Sequence, residues 1–227
     1  MKDELILNSD PKSVISETIR TLRTNLQFAS VDKKIQTILV TSSMPGEGKS
    51  FIAANLACAF AQNGTKVLLV DCDIRKGRQH YIFGTHNHKG LSNLLLEDVE
   101  EKYIEYIYKT GIDNLEVMFR GVTPPNPSEL LGSEKNKELV KILEKNYDIV
   151  IFDSAPINGG LTDSLILGNL VDGVLIVSSC KTTSATILNA TKKSLENVNA
   201  NILGVVLNNA EAKQKKYYGH YYGSYYG

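Results

Sequence analysis

Five apolar runs divide the chain, at residues 35–41, 66–71, 147–153, 173–178 and 202–207. Polar residues interrupt them only briefly, which is how a strand covered on both faces reads. Between the runs, apolar residues return every three or four positions among polar ones, the period of an amphipathic helix. Such stretches cover 49–63, 134–145, 163–170 and 184–198, and Gly64 supplies a stop after the first of them. Ahead of the first run, Asp10 and Pro11 read as an N-cap followed by a proline in the first turn. Ile15, Ile19, Leu22 and Leu26 then recur at helical spacing and predict a helix over 10–29. Residues 80–133 give a weaker pattern: one or two short helices, a strand at Leu115–Met118, and a turn-rich stretch from Thr123 to Pro127. Buried strands alternating with helices predict an α/β fold. Its sheet is mostly parallel, flanked by helices on both faces and joined by right-handed crossovers.

The end of the chain breaks this pattern. Residues 217–227 hold three tyrosine pairs, Tyr217-Tyr218, Tyr221-Tyr222 and Tyr225-Tyr226, separated by Gly, His and Ser. Glycine-spaced tyrosines without aliphatic partners build no core, so this segment is expected to be disordered. The expected organisation is one domain over 1–212 and a tail over 213–227.

Composition narrows the function classes. Lys plus Arg and Asp plus Glu both total 25, so no global field recruits nucleic acid or a membrane surface. Lys213, Lys215 and Lys216 lend only slight support to a tail that stacks on nucleic-acid bases. The three cysteines are far apart in sequence and read as reduced thiols of a cytoplasmic protein. Cys72, set between Asp71 and Asp73, is not expected to be a nucleophile. No apolar run reaches the roughly 18 residues needed to span a bilayer, and no signal peptide is visible. Membrane association is therefore expected only through a partner. His86 and His88 read as loop residues, and Tyr103, Tyr106 and Tyr108 as packing.

The chemistry concentrates where the first run meets the first helix. Ser43-Met44-Pro45-Gly46-Glu47-Gly48-Lys49-Ser50 joins strand to helix as a phosphate loop does. The backbone from Ser43 to Phe51 is expected to surround phosphate oxygens with the N–H groups of every residue but Pro45, with Gly46 and Gly48 letting the chain approach closely. Lys49 would neutralise the β- and γ-phosphates, and the Ser50 hydroxyl would ligate Mg²⁺. The strict GxxxxGK[ST] pattern fails at one position, where Ser43 replaces glycine. Asp71 and Asp73 end the second run and Asp153 ends the third, on the edge of a parallel sheet where ligands bind. Magnesium needs a P-loop serine and one or two carboxylates, so one of the three acids is left to accept the proton of an attacking hydroxyl. Arg75 has two readings, phosphate contact or pairing with these acids. Asn208 and Asn209, ending the last run, are candidates for base contact. Glu17, Arg20 and Arg23 advance by three along the first helix and share one side of it. By spacing alone, Glu17 and Arg20 read as an ion pair on a solvated face.

Taken together, these motifs resemble the bacterial tyrosine kinases of the capsule and exopolysaccharide type. The resemblance spans nearly the whole chain. It rests on Asp71-x-Asp73-x-Arg75, on the run ending at Asp153-Ser154-Ala155-Pro156, and on Glu17-x-x-Arg20-x-x-Arg23. The stretch from Pro124 to Leu131 and the tyrosine tail complete it. That family tolerates a non-glycine at the first loop position, which accommodates Ser43. Its last acidic motif usually ends in Pro-Pro, whereas this chain has Ala155-Pro156.

The resemblance implies a P-loop NTPase fold and ATP-dependent autophosphorylation of the tail in trans, with Mg²⁺ as cofactor and ADP as product. By carry-over, Ser50, Asp73 and Asp153 hold the metal, Asp71 is the favoured base, and Arg75 belongs to the catalytic set. Tyr217, Tyr218, Tyr221, Tyr222, Tyr225 and Tyr226 are the acceptors. Glu17, Arg20 and Arg23 are implied to form the interface of a ring-shaped homo-oligomer. The implied partners are the cytoplasmic segment of a transmembrane activator, protein tyrosine substrates and a cognate phosphotyrosine phosphatase, with no nucleic acid. The implied location is the inner face of the cell membrane, and the implied role is control of polysaccharide assembly and export. Two rivals share the loop. A partitioning-type ATPase switch usually carries a lysine early in it, where Ser42 and Ser43 stand here. A non-catalytic nucleotide-binding adaptor is the other.

Overall fold

The computed structural model describes residues 4–29, 34–157 and 161–210. Among the described residues, seven strands form one sheet: β1 Thr37–Ser42, β2 Val67–Asp71, β3 Tyr108–Lys109, β4 Leu115–Met118, β5 Ile149–Asp153, β6 Gly173–Ser179 and β7 Ile202–Asn208. Their order across the sheet is β3-β4-β2-β5-β1-β6-β7. Every neighbouring pair is parallel except β3 with β4 at one edge.

The helices are α1 Ile6–Ser9, α2 Val14–Ala29, α3 Lys49–Gln62, α4 Gln79–Ile82, α5 Leu91–Leu94, α6 Val99–Lys102, α7 Pro127–Leu131, α8 Glu134–Asn146, α9 Asp163–Gly168 and α10 Ala185–Asn197. They cover both faces of the sheet. On β1, Ile38 and Val40 join the core under α1, α2 and α3, while Leu39 joins the core under α5, α6, α8, α9 and α10. Alternating side chains are thus buried on opposite faces, which is why the strand sequences carry no polar alternation.

The five strands and five helices read from the pattern are present. The helix α2 begins later than Asp10, because the Ser13 hydroxyl accepts the Ser16 N–H at 3.1 Å and caps it. Ile15 does not join the core as its spacing suggested. It is 51% exposed, and Ser16 turns inward instead, donating to the Asp10 carbonyl at 2.7 Å. The middle segment is more broken than expected: α4 to α7, a 3₁₀ turn at Tyr103–Tyr106 and the extra strand β3. Tyr106 packs there as anticipated, fully buried with its hydroxyl on Glu97 at 2.6 Å.

Candidate active site

The carboxyl ends of β1, β2 and β5 meet at one edge of the sheet. Val40 pairs in register with Asp153, and Asp153 with Asp71, so two acids stand side by side on adjacent strands. From β1 the chain enters the loop Ser43–Gly48 and then α3. Gly46 and Gly48 adopt φ of +82° and +93°, a left-handed conformation that disfavours side chains. Among the described residues no side chain caps the start of α3, so its first N–H groups face the crevice with the positive end of the helix dipole.

The loop is braced from its far side. Glu47 is buried, and its carboxylate accepts the Met44 N–H at 2.6 Å, the Ser179 N–H at 2.8 Å and the Thr183 hydroxyl. Its carbonyl accepts the Asn208 side-chain amide at 2.8 Å. Asn208 sits so close to Gly48 that a Cβ there would lie 2.2 Å from its Nδ2. The Ser43 hydroxyl is buried and accepts from Thr191 Oγ1 at 2.8 Å. This explains the departure from glycine: the side chain points into α10 rather than into the loop's concave face. Asn209 Nδ2 reaches Ser179 Oγ at 3.2 Å, so the end of β7 is fastened beside the loop.

Lys49 lies among the acids, 3.1 Å from Asp73 Oδ2 and 3.7 Å from Asp153 Oδ1. Burial pulls its ammonium down, but Asp153, Asp73 and Asp71 outweigh that and hold it above its ordinary value. Asp71 and Asp153 are both fully buried. Burial, then the Asp153 charge, pushes Asp71 well above the usual carboxylate range. Burial also raises Asp153, against the pull of Lys49, Ser50 and Gln79. Asp73 Oδ1 accepts the Lys76 N–H at 2.9 Å. Burial, joined by the three acids, pushes the Cys72 thiol well up, which agrees with an inert cysteine.

These residues fit a nucleotide with magnesium. Among the described residues, Asp71 Oδ1 and Asp153 Oδ1 are buried acceptors with no hydrogen-bond partner, beside a helix N-terminus that no side chain caps. Among the described residues no three His, Cys, Asp or Glu side chains are arranged to cage a metal by themselves. Magnesium in such sites takes one or two carboxylates and completes its shell with water and phosphate oxygens.

Arg75, expected on phosphate or on the strand-end acids, instead gives Nε to Asp163 Oδ2 at 2.8 Å and Nη2 to Ser128 Oγ at 3.2 Å. Ser128 in turn donates to Asp163 Oδ1 at 2.5 Å. The stretch from Pro124 to Leu131 therefore meets the acidic motif through this three-residue clamp. On α2, Arg20 bonds Glu17 at 2.5 Å and the Pro11 carbonyl at 2.8 Å, both exposed. Arg23 Nη1 reaches the Ala59 carbonyl of α3 at 3.2 Å, while its buried Nε has no hydrogen-bond partner among the described residues. Tyr217, Tyr218, Tyr221, Tyr222, Tyr225 and Tyr226 lie outside the described residues. Two site features escaped the sequence reading. Gln79 was missed, and so was the role of the Glu47 carboxylate; both join positions far apart in the chain, where no local spacing reports them.

A family described as an AAA domain matches residues 35–207. Tyrosine-protein kinase YwqD of Bacillus subtilis is 42% identical over 97% of this chain and 92% of its own length. The crystal structure of the chimerical protein CapA2B2 superposes with a TM-score of 0.86 at 42% identity, covering 92% of this chain and 91% of that one. The kinase domain of Escherichia coli tyrosine kinase ETK gives the same TM-score, 0.86, at 31% identity, over 92% of this chain and 81% of that one. The cell-division ATPase MinD of Pyrococcus furiosus is less similar, with a TM-score of 0.62 at 26% identity over 76% of this chain and 71% of its own.

Proposed function

The chain belongs to the bacterial tyrosine kinases of the capsule and exopolysaccharide type, and from that premise we propose that it transfers the γ-phosphoryl group of Mg-ATP to the tyrosines of its own tail, between subunits. The observation that carries this reading is the juxtaposition of Lys49, Ser50 and three strand-end acids with the bare N-terminus of α3.

Catalysis of this kind rests on positioning and charge neutralisation, with little covalent work for the protein. Loop N–H groups and Lys49 hold the triphosphate. Ser50, Asp73 and Asp153 would hold magnesium, which when bound neutralises charge on the β- and γ-phosphate oxygens. As the phenol oxygen bonds to phosphorus, the bond to the ADP oxygen breaks, and the phenol proton passes to a carboxylate. Asp71 suits that role, since its lifted pKa makes it a stronger base than an ordinary carboxylate. Gly77 lies directly over it, where a Cβ would sit 2.1 Å from Oδ1. The phenol therefore reaches Asp71 only when the turn between β2 and α4 gives way. Asn208, already holding the loop through the Glu47 carbonyl, would contact the base.

The wider reading follows the same family. Glu17, Arg20 and Arg23 would lie at the interface of a ring. A cytoplasmic segment of a transmembrane activator would switch the kinase on, protein tyrosines would be further substrates, and a phosphotyrosine phosphatase would reset it. The output would be control of capsular or exopolysaccharide synthesis and export. Among the described residues no helix is long and apolar enough to cross a membrane, which suits attachment to the inner face through that activator.

Incubation with Mg-ATP and the activator segment, followed by phosphotyrosine detection, tests the reaction. Labelled protein is expected, and Lys49→Met should abolish the label. A partitioning-type switch would give free phosphate without label, and an adaptor would give neither.

A further inference from the structure

Gln79 belongs to none of the sequence motifs, yet its side chain is wholly buried at the first position of α4. Its Nε2 donates to the Ser50 carbonyl at 3.1 Å and to Asp153 Oδ2 at 2.8 Å. Its backbone N–H donates to Asp71 Oδ2 at 3.0 Å. A primary amide nitrogen has two hydrogens, and both are committed here. The amide orientation is fixed as a result: turned over, its oxygen would face a carbonyl and a carboxylate. One residue thus fastens the first turn of α3, the acid ending β5 and the acid ending β2.

This fastening leaves each carboxylate one oxygen without a hydrogen bond from the described residues. Asp153 Oδ1 and Asp71 Oδ1 have no hydrogen-bond partner among the described residues, and Gln79 Oε1 is a third such atom. The terminal torsion of an aspartate is soft, so nothing intrinsic decides which oxygen it presents. The tie to Gln79 decides it for Asp153, and Oδ1 is the oxygen that Lys49 approaches at 3.7 Å. We propose that Gln79 is a positioning residue of the magnesium site, holding the Ser50 backbone and Asp153 so that one carboxylate oxygen is presented to the cation. This inference rests on the phosphoryl-transfer reading. Magnesium tolerates little departure from octahedral geometry, so a rotated carboxylate is a poor ligand. Residues that orient metal ligands typically cost about 10–100-fold in metal affinity when removed.

The test follows binding of a fluorescent ADP analogue across a Mg²⁺ titration. Gln79→Met keeps a similar volume and removes both donors. The half-saturating Mg²⁺ concentration should rise about ten-fold or more, while affinity for the analogue in a chelator stays within about two-fold of the wild type. Parallel losses with and without metal would mean a packing role and overturn the proposal, as would a Mg²⁺ curve superimposable on the wild type. A second readout needs no variant. The ¹⁵N resonance of the Gln79 side-chain amide in the wild-type chain should shift when Mg²⁺ is added to the ADP complex, and an unmoved signal would count against the proposal. A wild type whose nucleotide binding ignores Mg²⁺ altogether would overturn the reading of the site, and this inference with it.

Discussion

A carboxyl group sealed from water binds a proton more tightly than one in solvent, and Asp71 is such a group. Burial and the neighbouring Asp153 raise it well above the usual range. A carboxyl whose folded pKa exceeds its unfolded value binds more protons in the folded state, so its contribution to stability falls as pH rises above the unfolded value of about 3.9. Asp71→Asn should therefore raise the melting temperature of the nucleotide-free protein near pH 7, with the gain shrinking toward pH 4 as the acid becomes protonated in both states. A melting temperature lowered by the same amount at both pH values would contradict this. At this scale Lys49, Ser50 and the acids were legible because each lies in a local signature of strand, turn and helix. Arg75 was not. Its partner Asp163 stands 88 residues away, and nothing in the Asp-x-Asp-x-Arg spacing reports it.

Among the elements, α2 shows most clearly where pattern and fold part. Its inner face packs Ile19, Leu22 and Leu26 against α3, as the spacing implies. Its first turn rotates Ile15 outward, and Val14 and Phe28 are each 71% exposed. Glu17 and Arg20 make the exposed pair that spacing alone suggests, worth only about 0.3–0.5 kcal/mol to the fold. Apolar side chains on a polar, salt-bridged helix suit a surface that meets another copy. Arg20→Ala combined with Arg23→Ala should shift the protein to a smaller species in light scattering, with its circular dichroism retained. An unchanged mass would contradict the interface. The phosphate loop was legible as an element, but its brace was not. Glu47 reads as a loop acid in sequence, whereas it ties the loop to Ser179 and Thr183, 132 and 136 residues onward.

Across the whole molecule, the sheet gathers distant chain segments along one edge. The strand order places β1 between β5 and β6, so the loop after β1 opens beside the acids of β2 and β5 and under the ends of β6 and β7. Continuous apolar runs made this parallel architecture legible, because both faces of each central strand are covered. The short elements between residues 80 and 133 were obscure because each is too brief to show a period. β7 ends at Asn208, beside the loop, and the chain passes on toward the tyrosine tail. The central claim proposed above is that phosphate passes from one subunit's site to another subunit's tail. A mixing experiment tests it most directly. A Lys49→Met chain with an intact tail is combined with a chain whose six tail tyrosines are phenylalanine, in the presence of Mg-ATP and the activator segment. Neither chain alone should acquire phosphotyrosine on its tail, and the mixture should label the Lys49→Met chain at residues between Tyr217 and Tyr226. Tails that stay bare in the mixture, while the unaltered protein labels normally, would contradict transfer between subunits.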